Sequence, residues 1–293
     1  MQKNNKSLLL VHIAIALFGS SSLFGKLINQ PAFAIVAGRV FFSVLIMFFI
    51  FKAKNISLNL HNKQNYLKVL LLGVILTVHW VLFYHSVQIS TVAISLLTFS
   101  TCPIFATFLE PMFFKDEKLT KENVFIALVA FIGVAIVVPK FELGSTMLQG
   151  FIEGILAGLT FALVSVLERK YVKELNGVVI SFYEQLIVFI ALLPICIFTG
   201  LNPVSKSDIF YILLFSTVFT LLSRYCYITG LKGVSAQTAG VLTTLEPIYG
   251  IILAAVLLNE TPTVKELIGG VVILLAAVYS SMRAMRKSSA KQS

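Results

Sequence analysis

The sequence is poor in charged residues and has no long polar segment, which excludes a soluble domain. Aspartate, glutamate, lysine and arginine together make up 12% of the 293 residues, whereas hydrophobic residues make up 58%. Soluble domains carry about 25% charged residues. The composition therefore predicts an integral membrane protein that crosses the lipid bilayer several times.

Cysteine and catalytic motifs are also scarce. The chain has three cysteines, and no two of them are spaced as CxxC, so neither a disulfide framework nor a zinc site is expected. No HExxH motif is present, and residues 19–26 have one residue too many between glycine and lysine for a P-loop. We therefore expect no metal, no cofactor and no enzymatic activity.

Ten apolar runs are long enough to cross a bilayer, which takes about 20 residues per helix. The connections between them are short, and the longest, residues 52–64, is polar. The predicted fold is all-α, with ten transmembrane helices and no soluble domain. The predicted spans are 8–28, 32–51, 65–86, 92–114, 122–138, 150–170, 178–199, 207–230, 236–258 and 265–282.

Lysine and arginine are distributed unequally between alternate connections. Sixteen lie at the two termini and in every second connection, and four lie in the remaining connections. Cytoplasmic segments carry the excess of positive charge, so both termini are predicted to be cytoplasmic. The net charge of +10 is thus explained by topology, and no nucleic-acid partner is expected.

The two halves of the chain, 1–149 and 150–293, share a pattern. Pro103 in the fourth span corresponds to Pro247 in the ninth, and each is followed by an apolar stretch, an acidic loop and a glycine-containing span. Because each half has five spans, an odd number, the second half enters the membrane from the opposite face. The pattern predicts two inverted repeats around a central cavity.

This arrangement resembles the EamA branch of the drug/metabolite transporter superfamily. The resemblance covers essentially the whole chain, and it is carried by LTTLEP at 242–247, NET at 259–261 and the glycines Gly269 and Gly270 of the last span. It implies a secondary transporter in the bacterial inner membrane, with a central cavity for a small organic solute such as an amino acid or amine.

Glu246 and Arg224 are the charges expected to lie deepest in the membrane. A rise of about 1.5 Å per residue places them roughly 15 Å and 9 Å from the cytoplasmic ends of their spans. An unpaired charge at such depth costs several kcal/mol, so we expect the two to share an ion pair or a water-filled cavity. Arg224 would bind an anion, and Glu246 an ammonium group or a coupling proton. A purely structural ion pair is the alternative.

Other polar and aromatic residues are candidates for the same cavity. Trp80, the only tryptophan, suits flat or cationic substrates if it faces the cavity beside Tyr225; packing between helices is the alternative. His79 is a candidate for proton coupling, or else a structural histidine. The remaining candidates are Thr98 and Thr243 as hydroxyl donors, Pro103 and Pro247 as helix breaks, and Arg39 and Glu184 as gate or structural charges too far apart to pair.

These features predict a secondary active transporter that moves a small organic metabolite by alternating access, with a proton or an exchanged solute as its coupling partner. A zwitterionic or cationic substrate such as an amino acid is favoured. The alternatives are a nucleotide-like or S-adenosylmethionine-like metabolite moved by exchange, and an integral membrane enzyme acting on a lipid-linked substrate. The length permits a monomer or a homodimer.

Overall fold

The computed structural model of the chain describes residues 2–115, 118–138, 142, 144–172, 174–230 and 242–290, and within them it contains helices and no strand. The predicted all-helical fold is therefore confirmed for this part of the chain. The α-helices are α1 (Gln2–Ser20), α2 (Phe24–Leu27), α3 (Ala32–Ala53), α4 (Lys63–Ile89), α5 (Val92–Phe99), α6 (Cys102–Phe113), α7 (Lys121–Val137), α8 (Thr146–Tyr171), α9 (Gly177–Thr199), α10 (Lys206–Leu214), α11 (Ser223–Gly230), α12 (Glu246–Leu257) and α13 (Val264–Ala290).

Among the described residues, seven helical stretches are long and apolar enough to cross a membrane. Of the other predicted spans, 122–138 matches α7, 265–282 lies within α13, and the described part of 236–258 contains α12. The predicted division at residue 149/150 falls in the first turns of α8, a few residues after that helix begins. The seven stretches are Lys6–Leu27, Ala32–Ala53, Lys63–Ile89, Val92–Phe113, Thr146–Tyr171, Gly177–Thr199 and Lys206–Tyr227.

The helix starts are encoded locally by capping side chains. An oxygen of an Asn, Ser or Thr side chain accepts a backbone N–H of the first turn, which would otherwise lack a partner. Ser205 and Asp208 form a complete capping box at the start of α10. The other capping residues of this kind are Asn62, Thr91, Thr120, Ser145 and Asn176.

Pro103 and Pro247, the two prolines predicted to break helices, each lie at the start of a half-helix. The fourth span is interrupted between α5 and α6, and Pro103 lies in the first turn of α6. Pro247 lies in the first turn of α12, directly after Glu246. Proline is tolerated in a first turn because its missing N–H would have no partner there in any case. Each proline therefore fixes the start of a helix inside an apolar run.

Helices of the first half of the chain pack on helices of the second half. α4 lies against α8 and α9, α3 against α9, α7 against α13, and α1 against α11 and α12. The largest buried apolar cluster combines residues of α3 and α4 with residues of α8 and α9. The core is therefore built between the two halves rather than within each of them.

A close helix crossing lies beside the start of α12. A Cβ atom on Gly19 would lie 2.2 Å from the carbonyl oxygen of Glu246, and a Cβ atom on Gly250 would lie 2.7 Å from the carbonyl oxygen of Gly19. Small residues let helix backbones approach this closely in membranes. The position of the Glu246 main chain is therefore set by α1.

One end of the bundle is tied together by an ion pair between the two halves. Lys26 Nζ lies 3.4 Å from Glu260 Oε1, and these side chains are 25% and 23% exposed. Lys26 Nζ also donates to the carbonyl oxygen of Ser90 at 2.7 Å, while Glu260 Oε2 accepts the backbone N–H of Val92 at 2.9 Å. We call these four residues the end latch; they join α2, the turn between α4 and α5, and the connection between α12 and α13.

We expect Gly19→Ala to lower the thermal unfolding midpoint of the purified protein by a few degrees or more. The added methyl group would push α1 away from α12, and overpacking of this kind costs about 1–3 kcal/mol. Gly177→Ala is the matched control, because its Cβ would meet only Val172 Cγ1, at 3.7 Å. Equal unfolding midpoints for the two variants in detergent would contradict the crossing.

Candidate functional site

Arg39 on α3 is a buried cation enclosed by aromatic rings. The residue is 5% exposed, and its guanidinium carbon lies 3.9 Å from the centroid of the Trp80 ring, 4.7 Å from that of Phe215 and 5.7 Å from that of Tyr84. A desolvated cation–π contact contributes about 2 kcal/mol or more. The rings thus replace part of the water that a guanidinium loses in the membrane.

These rings belong to α4 and to a π-helix in the second half of the chain. Trp80 and Tyr84 are four residues apart on α4, so they lie on one face of that helix. Phe215 begins a π-helix, Phe215–Leu222, between α10 and α11. Ser216 Oγ of the same π-helix donates to the carbonyl oxygen of Arg39 at 2.9 Å. This hydrogen bond joins the π-helix to α3 at Arg39 itself.

The hydrogen bonds of Arg39 satisfy only one side of its guanidinium. Nη1 donates to the hydroxyl oxygen of Tyr84 at 3.5 Å, and that hydroxyl donates to the carbonyl oxygen of Ser21 at 3.4 Å. Nε and Nη2 are buried and have no hydrogen-bond partner among the described residues. Two nitrogens of a buried guanidinium, Nε and Nη2, are consequently without an acceptor among the described residues.

Glu246 is a half-buried carboxylate at the start of α12. It lies close enough to Tyr84 and Cys102 to interact with both electrostatically. The N-terminus of a helix carries partial positive charge, which stabilises a carboxylate in its first turn. Tyr84 thus interacts electrostatically with Glu246 and hydrogen-bonds to Arg39.

The predicted ion pair between Arg224 and Glu246 is not formed among the described residues. Arg224 is exposed, and the carboxylate with which it interacts is Glu184. The prediction was made from depth along the span, which does not specify the face of the helix. The π-helix that precedes Arg224 has a wider turn than an α-helix, so it changes the face on which later residues lie.

Trp80 and Tyr225 are also separated. Tyr225 is 65% exposed, whereas Trp80 is half-buried against the guanidinium of Arg39. The same π-helix accounts for this difference, because Tyr225 directly follows Arg224. The face of the Trp80 ring is therefore covered by the guanidinium of Arg39.

Glu184 has other charged neighbours than Arg39. It is 3% exposed, and the charged groups that face it are Glu168 and Arg224. Its neighbour Gln185 donates from Nε2 to Met47 Sδ at 3.5 Å. Met47 is eight residues beyond Arg39, about 12 Å along α3. The two charges therefore belong to separate surroundings.

His79 is held in an apolar environment. It is 4% exposed, and its Nδ1 donates to the carbonyl oxygen of Ala157 at 2.9 Å. Its ring centroid lies 4.8 Å from that of Phe161 and 5.6 Å from that of Phe99. A backbone partner and aromatic neighbours favour the structural interpretation over proton coupling.

The two predicted hydroxyl donors differ in their surroundings. Thr98 Oγ1 is fully buried and donates to the carbonyl oxygen of Ile94 at 2.7 Å. A Cβ atom on Gly154 would lie 2.0 Å from this oxygen, so Thr98 packs α5 against α8. Thr243 is half-buried in the segment that leads into α12, three residues before Glu246.

Tyr84 and Phe215 were not among the residues predicted from the sequence. For Tyr84 a signal was available, since its spacing of four from Trp80 places both rings on one helix face. For Phe215 there was none, because it is one of 25 phenylalanines and nothing in its neighbourhood indicates a π-helix. The grouping of Arg39 with these rings is therefore a result of the three-dimensional structure.

One known protein family matches both halves of the chain. A family model described as the EamA-like transporter family matches residues 5–138 and, a second time, residues 148–282. The chain belongs to the EamA-like transporter family. It is therefore a multi-pass membrane protein of a transporter family rather than an enzyme, and the resemblance drawn from its broken spans is confirmed.

Several relatives of this EamA-like chain carry transporter names. The S-adenosylmethionine uptake transporter of Rickettsia conorii is 24% identical over 267 residues, covering 89% of this chain and 87% of the relative. That of Rickettsia bellii is 24% identical over 262 residues, covering 87% of each. An uncharacterized transporter of Clostridium kluyveri is 26% identical over 179 residues, and the match spans 58% of this chain and 58% of that relative.

A solved structure has the same fold as this EamA-like chain. It is a protein crystal structure that superimposes with a TM-score of 0.66 at 15% sequence identity, covering 97% of this chain and 99% of the other. At this identity the likeness concerns the fold alone, and it supports the helix arrangement described above.

We expect His79→Phe to leave the pH profile of transport unchanged. The new ring keeps the contacts with the neighbouring phenylalanines and loses only the hydrogen bond to Ala157, which costs about 1 kcal/mol. Uptake into proteoliposomes over a range of pH values measures this. The control is His61→Asn, an exposed loop position with φ of 68° that asparagine tolerates. Loss of the pH dependence in His79→Phe alone would assign proton coupling to His79.

Proposed function

We propose that this protein is a secondary active transporter that moves a small organic metabolite across the bacterial inner membrane by alternating access. The observation that carries the proposal is the carboxylate of Glu246 at the start of a half-helix, in electrostatic range of Tyr84, whose hydroxyl accepts from the buried Arg39. Transporters built from repeats place their substrate sites where broken helices meet near the middle of the membrane.

The proposed architecture has ten transmembrane helices in two inverted five-helix repeats around a central cavity. The twofold match of one family model to the chain supports a repeat. The odd number of spans in each half implies that the halves are inverted. The half-helices that begin at Cys102 and Glu246 would then be equivalent, and the electrostatic interaction between these two residues is consistent with their meeting between the two halves.

The proposed energy source is a proton gradient or an exchanged solute. The sequence has no P-loop that would indicate nucleotide hydrolysis. Glu246 is a titratable group within the membrane, and such residues mark ion or substrate pathways. It would bind either the coupling proton or an ammonium group of the substrate. The working unit would be a monomer or a homodimer.

A zwitterion is the substrate class that suits this site. Arg39 and Glu246 have opposite charges and both interact with Tyr84, so a substrate with a carboxylate and an ammonium group could satisfy both. Amino acids have this pattern. S-adenosylmethionine has it as well, and the names of the Rickettsia relatives support it as a second candidate.

Transport into proteoliposomes tests the proposal. We expect wild-type protein to take up at least one labelled compound from a panel of amino acids, amines, S-adenosylmethionine and nucleotide derivatives, assayed with and without a pH gradient. Glu246→Gln should lower that uptake at least about tenfold, the effect of losing one charge-assisted contact of about 1.5–3 kcal/mol. Glu142→Gln, at an exposed position between α7 and α8, is the matched control.

Two results would count against this assignment. Equal uptake by Glu246→Gln and wild type would remove the carboxylate from the site. Absence of uptake of every compound by correctly folded wild-type protein would contradict the proposed substrate class. Monodisperse size-exclusion profiles of all variants provide the folding control.

Both termini are proposed to be cytoplasmic, and this is tested separately. A green fluorescent protein fused after residue 293 should fluoresce, since that reporter folds on the cytoplasmic side, and an alkaline phosphatase fusion at the same point should be inactive. The opposite pair of results would place the C-terminus outside and contradict the distribution of lysine and arginine as a guide to orientation.

A further inference from the structure

The two unpartnered donors of Arg39 are adjacent to each other. A guanidinium has five N–H groups in a fixed planar arrangement. In Arg39, Nη1 is engaged by the hydroxyl of Tyr84, whereas Nε and Nη2, which have no partner among the described residues, share one edge of the plane. We call the Nε–Nη2 side the free edge of Arg39. It offers two parallel N–H groups, the arrangement that binds two oxygens of one anion.

Leaving this edge without a partner is costly. Aromatic rings satisfy the faces of a guanidinium but not its N–H groups, and a buried donor without an acceptor loses its hydration with no compensation. Arg39 is also the only buried lysine or arginine among the residues whose burial is described. A structural role alone would be served equally well by an apolar side chain between these rings.

We infer that the free edge of Arg39 binds the carboxylate of the transported substrate, and that Arg39 is therefore a specificity-determining residue. This rests on the proposed transport function and goes further by assigning the anionic group of the substrate to one side chain. It replaces the gate or structural role that the sequence suggested for Arg39.

A carboxylate fits this edge better than a phosphate does. A carboxylate has two coplanar oxygens and one negative charge, so a single guanidinium edge matches both its geometry and its charge. A phosphate monoester carries nearly two negative charges and a third oxygen that requires further donors. No second buried lysine or arginine is present among the residues whose burial is described, so a doubly charged anion would be poorly compensated.

The surrounding rings fix the direction of the free edge. Trp80 lies 3.9 Å and Phe215 lies 4.7 Å from the guanidinium carbon. Phe215 is itself stacked on Phe24, with ring centroids 4.6 Å apart and an angle of 5° between the planes. A guanidinium plane held by packed rings loses little conformational freedom on binding. Because the edge is enclosed in this conformation, the carboxylate reaches it when the two halves of the bundle separate.

The single tryptophan makes the site directly observable. Trp80 is the only tryptophan of the chain, so tryptophan emission of the purified protein reports on the ring that covers Arg39. Wild-type protein in detergent is titrated with S-adenosylmethionine and with each proteinogenic L-amino acid other than tryptophan and tyrosine. We expect a saturable change in this emission for at least one of these compounds. The corresponding carboxamides should bind about tenfold to a hundredfold more weakly, as the loss of a charge-assisted contact predicts. Inorganic phosphate should give no saturable change.

Variants separate the role of the edge from the role of charge. Arg39→Lys keeps the charge but not the two parallel donors, and Arg39→Gln removes both; each should abolish the preference for the carboxylate over its carboxamide. The matched control is Arg169→Gln, which removes an exposed arginine that lies 4.5 Å from the ring centroid of Phe114 and should keep the preference. The comparison of carboxylate and carboxamide on wild type requires no variant, so it stands even if an Arg39 variant fails to fold.

The outcomes distinguish this inference from the proposed function. If wild type takes up a compound but binds its carboxamide equally well, or if Arg39→Gln keeps the preference, the inference is wrong and the transport proposal stands. A saturable response to phosphate with none to any carboxylate would also overturn the inference. If folded wild-type protein neither carries nor binds any compound of the panel, the proposed function and this inference fail together.

Discussion

A guanidinium inside a membrane must find substitutes for its water, and the way Arg39 does so determines much of this molecule. Rings from α4 and from the π-helix cover its faces, and the hydroxyl of Tyr84 accepts from one nitrogen. These contacts require α3, α4 and the second half of the chain to meet at one point. The tight crossing of α1 with α12 then holds Glu246 in electrostatic range of the same tyrosine. The chemistry of the site thus follows from solvating one cation.

Much of the fold could be predicted from the sequence, because the bilayer leaves few alternatives. In lipid, every backbone polar group must be satisfied within the protein, so a long apolar run becomes a helix. The helix breaks predicted at Pro103 and Pro247 also rest on a local property, since proline lacks an N–H and is best tolerated in a first turn. Proline alone does not locate a helix start, because Pro111 and Pro194 lie inside α6 and α9. These are local properties of the chain, and local properties are what a single sequence records.

The site was less predictable because it depends on which way helices face. Depth along a span predicted that Glu246 lies within the membrane and paired it with Arg224, an ion pair that is not formed among the described residues. In a regular α-helix, the position of a residue along the span also determines the side of the helix on which its side chain lies. The π-helix Phe215–Leu222 breaks that regularity, and it directs Phe215 toward Arg39 while Arg224 and Tyr225 are exposed. No residue type in this segment reports a change from i→i+4 to i→i+5 hydrogen bonding.

The end latch has a consequence for reversibility. Its central ion pair is about a quarter exposed on each side, and pairs of this kind contribute roughly 0–1 kcal/mol because water and salt screen them. A protein that alternates between two conformations needs them to differ by only a few kcal/mol, so that each is populated. An interaction of such modest strength can close one end of the bundle and still release it by thermal motion. The weakness of the latch is therefore compatible with repeated turnover, where a deeply buried ion pair would hold the bundle in one state.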